Sequence, residues 1–298
     1  MLSPTVTAVI ATRNRCAELC TTLERLSSLP ERPAIVVVEN GSSDGSAAYV
    51  RWRHPGVQLI AARRNLGAVG RNLALRQVTT PYAAFCDDDT WWEPGSLAVA
   101  ADVLDAHPDV AAVTARIVVE PSGEDDPIVS ELANSPVAAP PGLPGPALLS
   151  ILAGASVLRT DAFRKVRGFS PRLWLGGKEE LLSTDLVTAG YWLCYLPGAT
   201  VHHQASQARD ASLRRRLGIR NTLWFTWLRR PAWPALRRTA ELAATVPRDA
   251  ASASAFWAAV RGLPWVLRER RPVAPEVEAQ IQLLEGPRRA SSARRYVG

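Results

Sequence analysis

Short apolar runs alternate with polar turns and mixed segments along the first third of the chain. Val6-Thr7-Ala8-Val9-Ile10-Ala11 opens as a strand and gives way to the polar Thr12-Arg13-Asn14-Arg15, after which residues 17–29 follow a helical period. Ala34-Ile35-Val36-Val37-Val38 is apolar on both faces, as a parallel strand covered by helices on each side must be. It stops at a turn, Glu39-Asn40-Gly41-Ser42-Ser43-Asp44-Gly45-Ser46, that leads into another helix. A third strand over 57–61 ends in Arg63-Arg64-Asn65-Leu66-Gly67, followed by a helix through Leu75, and a fourth over 82–86 ends in Asp87-Asp88-Asp89. This βαβ rhythm predicts an open α/β sheet, and each polar turn then falls at the carboxyl end of a strand, where such sheets bind ligands.

The pattern beyond residue 90 is less regular. A helix is expected near 97–106 and a strand over 110–119. Residues 120–146 hold seven prolines and the acids Glu124-Asp125-Asp126, which predicts a long irregular loop, either a lid or a floppy insertion. An apolar block at 147–158 passes through Gly154-Ala155-Ser156, a helix starts at Thr160-Asp161, and a turn falls at Val166-Arg167-Gly168-Phe169. Gly176-Gly177-Lys178-Glu179-Glu180 then opens a helix that ends near Gly190. Two strands are expected over 192–196 and 199–203, the second carrying His202-His203 to its end. Adjacent residues on a strand point to opposite faces, so at most one of these histidines can face the acids.

Three consecutive carboxylates raise one another's pKa and are tolerable only in open water or beside a cation. Hard oxygen ligands at a strand end suit Mg²⁺ or Mn²⁺ carrying a phosphate, whereas a solvated turn capping the helix that begins near Pro94 needs no ligand. Arg71 and the Asn65 turn can hold an anion, and an acid after the paired glycines can act as a general base. Plain helix capping and helix-dipole complementation are the alternatives at those two places.

Composition narrows the class. With 298 residues, 47% hydrophobic and 21% charged, the chain can build one large α/β domain with a helical appendage. The net charge of +7 is unevenly placed: from Arg209 onward there are 18 arginines, no lysine and seven acids. The basic balance belongs to the tail, which argues against a nucleic-acid binder. That tail also holds five of the ten tryptophans, Trp224 through Trp265, and fits core-covering helices or a homodimer contact first and membrane-surface docking second. The four cysteines lack zinc-type spacing and read as buried free thiols of a reducing compartment. The N-terminus shows no signal-peptide pattern and no window is long enough to span a bilayer, so a cytoplasmic protein, soluble or peripheral at the inner face of the membrane, is expected.

Taken in order, these motifs resemble the family 2 glycosyltransferases, enzymes of GT-A fold that take sugars from nucleotide donors, and the resemblance runs from about Val6 to His203. It implies an α/β GT-A domain over 1–205, divided into a nucleotide-sugar half (1–119), a flexible loop (120–146) and an acceptor half (147–205), with a helical region over 206–298. The resemblance puts Thr12, Arg13, Glu39, Asn65, Arg71, Asp87 and Asp88 at the donor, with Glu39 where an Asp is usual. It puts Asp87, Asp89 and His203 at a divalent metal, Mn²⁺ or Mg²⁺. Lys178 stands where an acid is common, which leaves Glu179 or Glu180 as the base. The implied reaction is an inverting displacement from a nucleotide-diphosphate sugar to the hydroxyl of a glycan, a lipid-linked glycan or a small metabolite. A nucleotidyltransferase would need a glycine-rich loop after the first strand, which the loop at Thr12 lacks. A silent GT-A-like scaffold would not need the acids.

Overall fold

The computed structural model describes residues 4–204 and 211–290. The strands are β1 (Val6–Thr12), β2 (Ala34–Glu39), β3 (Gln58–Ala61), β4 (Tyr82–Cys86), β5 (Thr90–Trp92), β6 (Val110–Val119), β7 (Glu124–Asp125), β8 (Ser156–Arg159) and β9 (Trp192–His203). Between them run α1 (Cys16–Ser27), α2 (Ser46–Arg53), α3 (Arg71–Leu75), α4 (Ser96–Ala106), α5 (Ile128–Ala133), α6 (Thr160–Lys165) and α7 (Lys178–Thr188). A helical region follows: α8 (Ala211–Arg229), α9 (Ala232–Thr245), α10 (Ala250–Arg261), α11 (Leu263–Glu269), α12 (Pro275–Leu283) and α13 (Glu285–Ala290). Residues 205–210 and 291–298, part of the basic tail, lie outside the described residues.

One sheet runs in the order β3-β2-β1-β4-β8-β6-β9-β5, with β7 paired to β6. Its first four strands are parallel, as the apolar runs of β1, β2 and β4 expect, and Ile10, Val37, Val38 and Phe85 are wholly buried, while β3 is a partly exposed edge strand. Antiparallel β8 joins this half to the parallel pair β6 and β9. The two strands expected over 192–203 are a single strand. The register of β9 on β6 shifts between Leu196 and Thr200, so Pro197 and Gly198, which break the apolar run in the sequence, sit in a bulge rather than ending the strand. Within the apolar block at 147–158 only residues 156 onward form a strand, and Ala147 makes isolated bridges to Val137 and Cys194.

Residues 120–146 also depart from the expected irregular loop. They form a short hairpin through β7 and the helix α5, which buries Ile128, Val129 and Leu132. The prolines hid a helix whose apolar face spans under two turns, too short for periodicity to register. All four cysteines are free, but only Cys86 and Cys194 are buried. Cys16 and Cys20 are half-exposed near the start of α1.

The helical region covers one side of the domain, as the first of the readings for the tail expected. α8 sends Ile219, Leu223, Trp224, Phe225 and Leu228 into a second apolar core that takes Leu173 and Leu181 from the sheet domain and Ala255, Ala259 and Val266 from α10 and α11. Arg229 binds Asp185 of α7 through two hydrogen bonds of 2.6 and 3.0 Å. Arg230, 2% exposed, holds Glu278 and Glu285 in a buried ion-pair cluster.

Candidate active site

The carboxyl ends of β1, β2, β3 and β4 open on one cavity of about 830 Å³. Thr12 and Arg13 from β1, Asn65 from the turn after β3, and Asp87, Asp88 and Asp89 from the turn after β4 line it. Across from them stand Gly154, Trp174, Lys178 and Glu179, with His203 from the end of β9. The cavity is therefore walled by both halves of the sheet.

Two arginines serve the three acids. Arg71, 1% exposed, donates from Nη2 to Asp87 Oδ1 and to the Cys86 carbonyl oxygen, both at 2.6 Å. Burial would push the Asp87 carboxyl up, but the Arg71 guanidinium, with Lys178 and His203 behind it, holds it below the usual range. Half the Asp87 side chain nonetheless faces the opening. Asp88 is buried and accepts from Thr12 Oγ1 at 2.9 Å and Arg15 Nη1 at 2.5 Å. Burial raises its pKa to about 6, against the pull of Arg15 and with the help of Asp87 and Asp89. The same Arg15 nitrogen lies 3.0 Å from Asp89 Oδ2, and although burial works to lower its pKa, the two carboxylates raise it. Three carboxylates thus coexist because two arginines from different turns are threaded among them.

Asp89 Oδ1 lies 3.9 Å from His203 Nε2. His202, one residue earlier, points the other way, stacks on Trp91 and pairs with Glu120 at 2.8 Å, as strand alternation demands. Among the described residues no three His, Cys, Asp or Glu side chains converge as metal ligands. Of the expected trio of Asp87, Asp89 and His203, Asp89 and His203 approach each other, while Asp87 pairs with Arg71. The Asp89 and His203 pair nevertheless fits a hard or borderline divalent ion, since Mg²⁺ and Mn²⁺ bind through one or two protein groups completed by substrate phosphates and water.

On the facing wall, Gly176 and Gly177 have φ of +76° and +69°, which only glycine adopts at little cost, and α7 begins immediately after them. Glu179 lines the cavity and pairs with the Lys178 ammonium group. Glu180 is buried, 8% exposed, and is not part of the cavity wall. Neighbours on a helix lie about 100° apart, so one acid of the pair faces the ligand space and the other turns inward.

Glu39, Asn65 and the neighbouring Asn72 play supporting parts. Glu39 is buried outside the cavity and accepts a hydrogen bond from the Ser42 backbone N–H within its own turn. Asn65 Oδ1 accepts from the Gly67 N–H at 2.8 Å, which shapes the turn. Asn72 brackets the Phe169 backbone, donating to its carbonyl at 2.7 Å and accepting from its N–H at 3.0 Å, and so ties α3 to the turn at Phe169. Several residues escaped the sequence reading. Arg15 follows Arg13 in the same polar turn with nothing to set it apart. Asn40 donates to the Gly67 carbonyl and accepts from the Leu66 N–H, bridging two turns. Asn221 of α8, wholly buried, donates to the Leu175 and Gly176 carbonyls at 2.8 and 2.9 Å and props the turn before Glu179.

Comparison with known proteins agrees with this geometry. The family described as Glycosyl transferase family 2 matches residues 7–167. A curated relative, an N-acetylglucosaminyl-diphospho-decaprenol L-rhamnosyltransferase of Mycobacterium tuberculosis, is 26% identical over 247 residues, covering 71% of this chain and 80% of its own. Among solved structures, the mannosyltransferase PcManGT from Pyrobaculum calidifontis, in complex with GDP-Man and Mn²⁺, is 19% identical with a TM-score of 0.60, over 99% of this chain and 83% of the other. TarS of S. aureus, residues 1–349, is 16% identical with a TM-score of 0.59, over 98% and 83% of the two chains.

Proposed function

The chain belongs to glycosyl transferase family 2, and from that premise we propose that it moves a sugar from a nucleoside-diphosphate donor to an acceptor hydroxyl by a divalent-metal-dependent, inverting displacement. The observation that carries this reading is that Glu179 faces the same cavity as the Asp89 and His203 pair. A base on one wall and an anion site on the other is the layout that an in-line displacement needs.

Thr12 and Arg13 are the groups of the first turn available to the nucleoside, and the Asn65 turn and Arg71 lie on the diphosphate side. Asp87, fixed by Arg71, and Asp88, fixed by Thr12 and Arg15, are set to meet the donor without reorganising, which lowers the cost of binding. Asp89 and His203 would hold the metal, whose chemistry is to neutralise charge on the leaving diphosphate. Glu179 takes the proton from the acceptor hydroxyl while Lys178 holds the carboxylate in place. Glu180, turned inward, supports α7 instead. Gly154 leaves room for Asp87: a Cβ there would meet Asp87 Oδ2 at 2.7 Å.

The relative's name points to an acceptor class, a sugar on a polyprenyl diphosphate, and we extend it to this chain as the first acceptor to try. The test is steady-state transfer, with product anomers read by NMR, by the wild type and the Glu179→Gln and Glu180→Gln variants. Loss of the base costs about 10²–10⁴-fold in turnover. The reading expects that loss for Glu179→Gln, a small effect for Glu180→Gln, and inverted product. Retained stereochemistry, or the larger loss at Glu180, would overturn the assignment.

A further inference from the structure

The α10–α11 pair is apolar on two faces, and among the described residues only one of them packs against the protein. Its inner face, Ala255, Ala259 and Val266, closes the second core against α8. Gly262 joins the two helices where a Cβ would strike the Trp224 indole at 2.5 Å, and Trp224 Nε1 donates to the Ala259 carbonyl at 3.0 Å. The inner face is therefore locked in position.

The outer face carries Trp257, Val260 and Leu267, which are 65%, 53% and 57% exposed, with exposed Pro264 among them. Their spacing of three, four and three residues places them in a single stripe across the junction. Exposed single apolar residues are ordinary, but a helical stripe headed by a tryptophan and opposite an already satisfied face marks an interaction surface. Arg261 and Arg268 are exposed beside it. The acid at its end, Glu269, lies 3.7 Å from Arg172. The wider segment is basic in sequence, with 18 arginines against seven acids from Arg209 onward, although Arg229 and Arg230 among them are committed to ion pairs within the fold. No described helix is long and apolar enough to cross a membrane, so the stripe suits a surface that the helices can lie along.

We propose that the Trp257-Val260-Leu267 stripe with Arg261 and Arg268 docks the protein in the plane of an anionic lipid bilayer. Tryptophan and the aliphatic side chains enter the headgroup boundary, and the arginines meet lipid phosphates. The α8 helix beneath also supplies Asn221 to the turn before Glu179, so docking would fix the catalytic body relative to the lipid surface. The proposal rests on the stripe itself and stands whether or not the acceptor is lipid-linked.

The test is co-sedimentation of the full chain with vesicles of phosphatidylcholine alone or containing about 30% phosphatidylglycerol, at low and high salt. Three proteins are compared: wild type, Trp257→Ser/Val260→Ser/Leu267→Ser, and Arg261→Gln/Arg268→Gln. All five positions are exposed, and unchanged melting temperatures and sugar transfer to a soluble acceptor verify folding. Wild type is expected to bind the anionic vesicles and to release at high salt. The arginine pair should weaken binding by about fivefold per residue, and the apolar triple should abolish it. Equal binding by all three proteins, or binding indifferent to phosphatidylglycerol, overturns the proposal. So does a wild-type dimer that becomes a monomer in the apolar triple without any vesicle binding, because the stripe would then be a subunit interface.

Discussion

Replacing Asn221 by alanine removes two hydrogen bonds that cross from the helical region to the turn at Leu175 and Gly176. Both carbonyls are half-buried, so water reaches them in part, and the net loss is about 1 kcal/mol per bond, or about 2 kcal/mol in all. For a chain of 298 residues that lowers the melting temperature by about 3 °C. The third bond, accepted from Arg220 Nε at 2.9 Å, involves a partly exposed donor and adds little. The effect on turnover should exceed the effect on stability, because Gly177 caps α7 two residues before Glu179 and a shift of about 1 Å at a base costs about 10²-fold. Donor affinity should hold, since the acids after β4 take no support from Asn221. Differential scanning fluorimetry, donor titration and steady-state kinetics on the purified variant test all three statements. A variant that melts lower yet turns over at the wild-type rate would refute the idea that α8 positions the base.

Gly154→Ala places a Cβ against Asp87 Oδ2 and forces that carboxylate toward Arg71. Donor kcat/KM should fall at least about tenfold with a small change in melting temperature, consistent with about 1–3 kcal/mol of overpacking, and an unchanged kcat/KM would show that Asp87 does not meet the donor. Arg230→Ala strands the buried carboxylate of Glu278, leaves Glu285 to Arg237 alone, and should cost about 3–5 kcal/mol of unfolding free energy by denaturant titration; a loss under about 1 kcal/mol would mean the cluster is hydrated. Burial acts to raise the Glu285 pKa, but Arg230 and then Arg237 outweigh it and hold it below the ordinary value of 4.5. The stabilisation from a depressed carboxylate is present above the unfolded pKa and lost as pH falls through the folded one. Wild type should therefore lose more stability than Glu285→Gln as the pH is lowered below 4.5, and parallel losses would remove Glu285 from the account.

The parallel part of the sheet was legible because β1, β2 and β4 are nearly continuous apolar runs ended by polar residues, and burial on both faces leaves little else for such a run to be. β1, β2 and β4 and the acids after Cys86 followed directly. Resolution failed where tertiary contacts override a local signal. Pro197 and Gly198 read as a strand end but form a bulge, because β6 continues past them and keeps the pairing alive. Glu179 and Glu180 were equivalent in the sequence, since α7 is nearly evenly buried around its start, and only the position of the cavity separates them. Arg15 and Asn221 act over 73 and 45 residues of separation, a range that no periodicity reports. Lys178 was visible as a departure from the family pattern, but its pairing with Glu179 needed the Gly177 turn to bring α7 to the cavity.

The central claim, that the cavity is a nucleoside-diphosphate site sharing a divalent ion with Asp89, is tested most directly by calorimetric titration of UDP, GDP, dTDP and CDP. Each is titrated into wild type and Asp89→Asn, with Mn²⁺ and with EDTA. One diphosphate should bind wild type in the presence of Mn²⁺ and weaken sharply both with EDTA and in the variant. Binding of equal strength in all four conditions would contradict the metal assignment, and the absence of binding by every diphosphate would contradict the site.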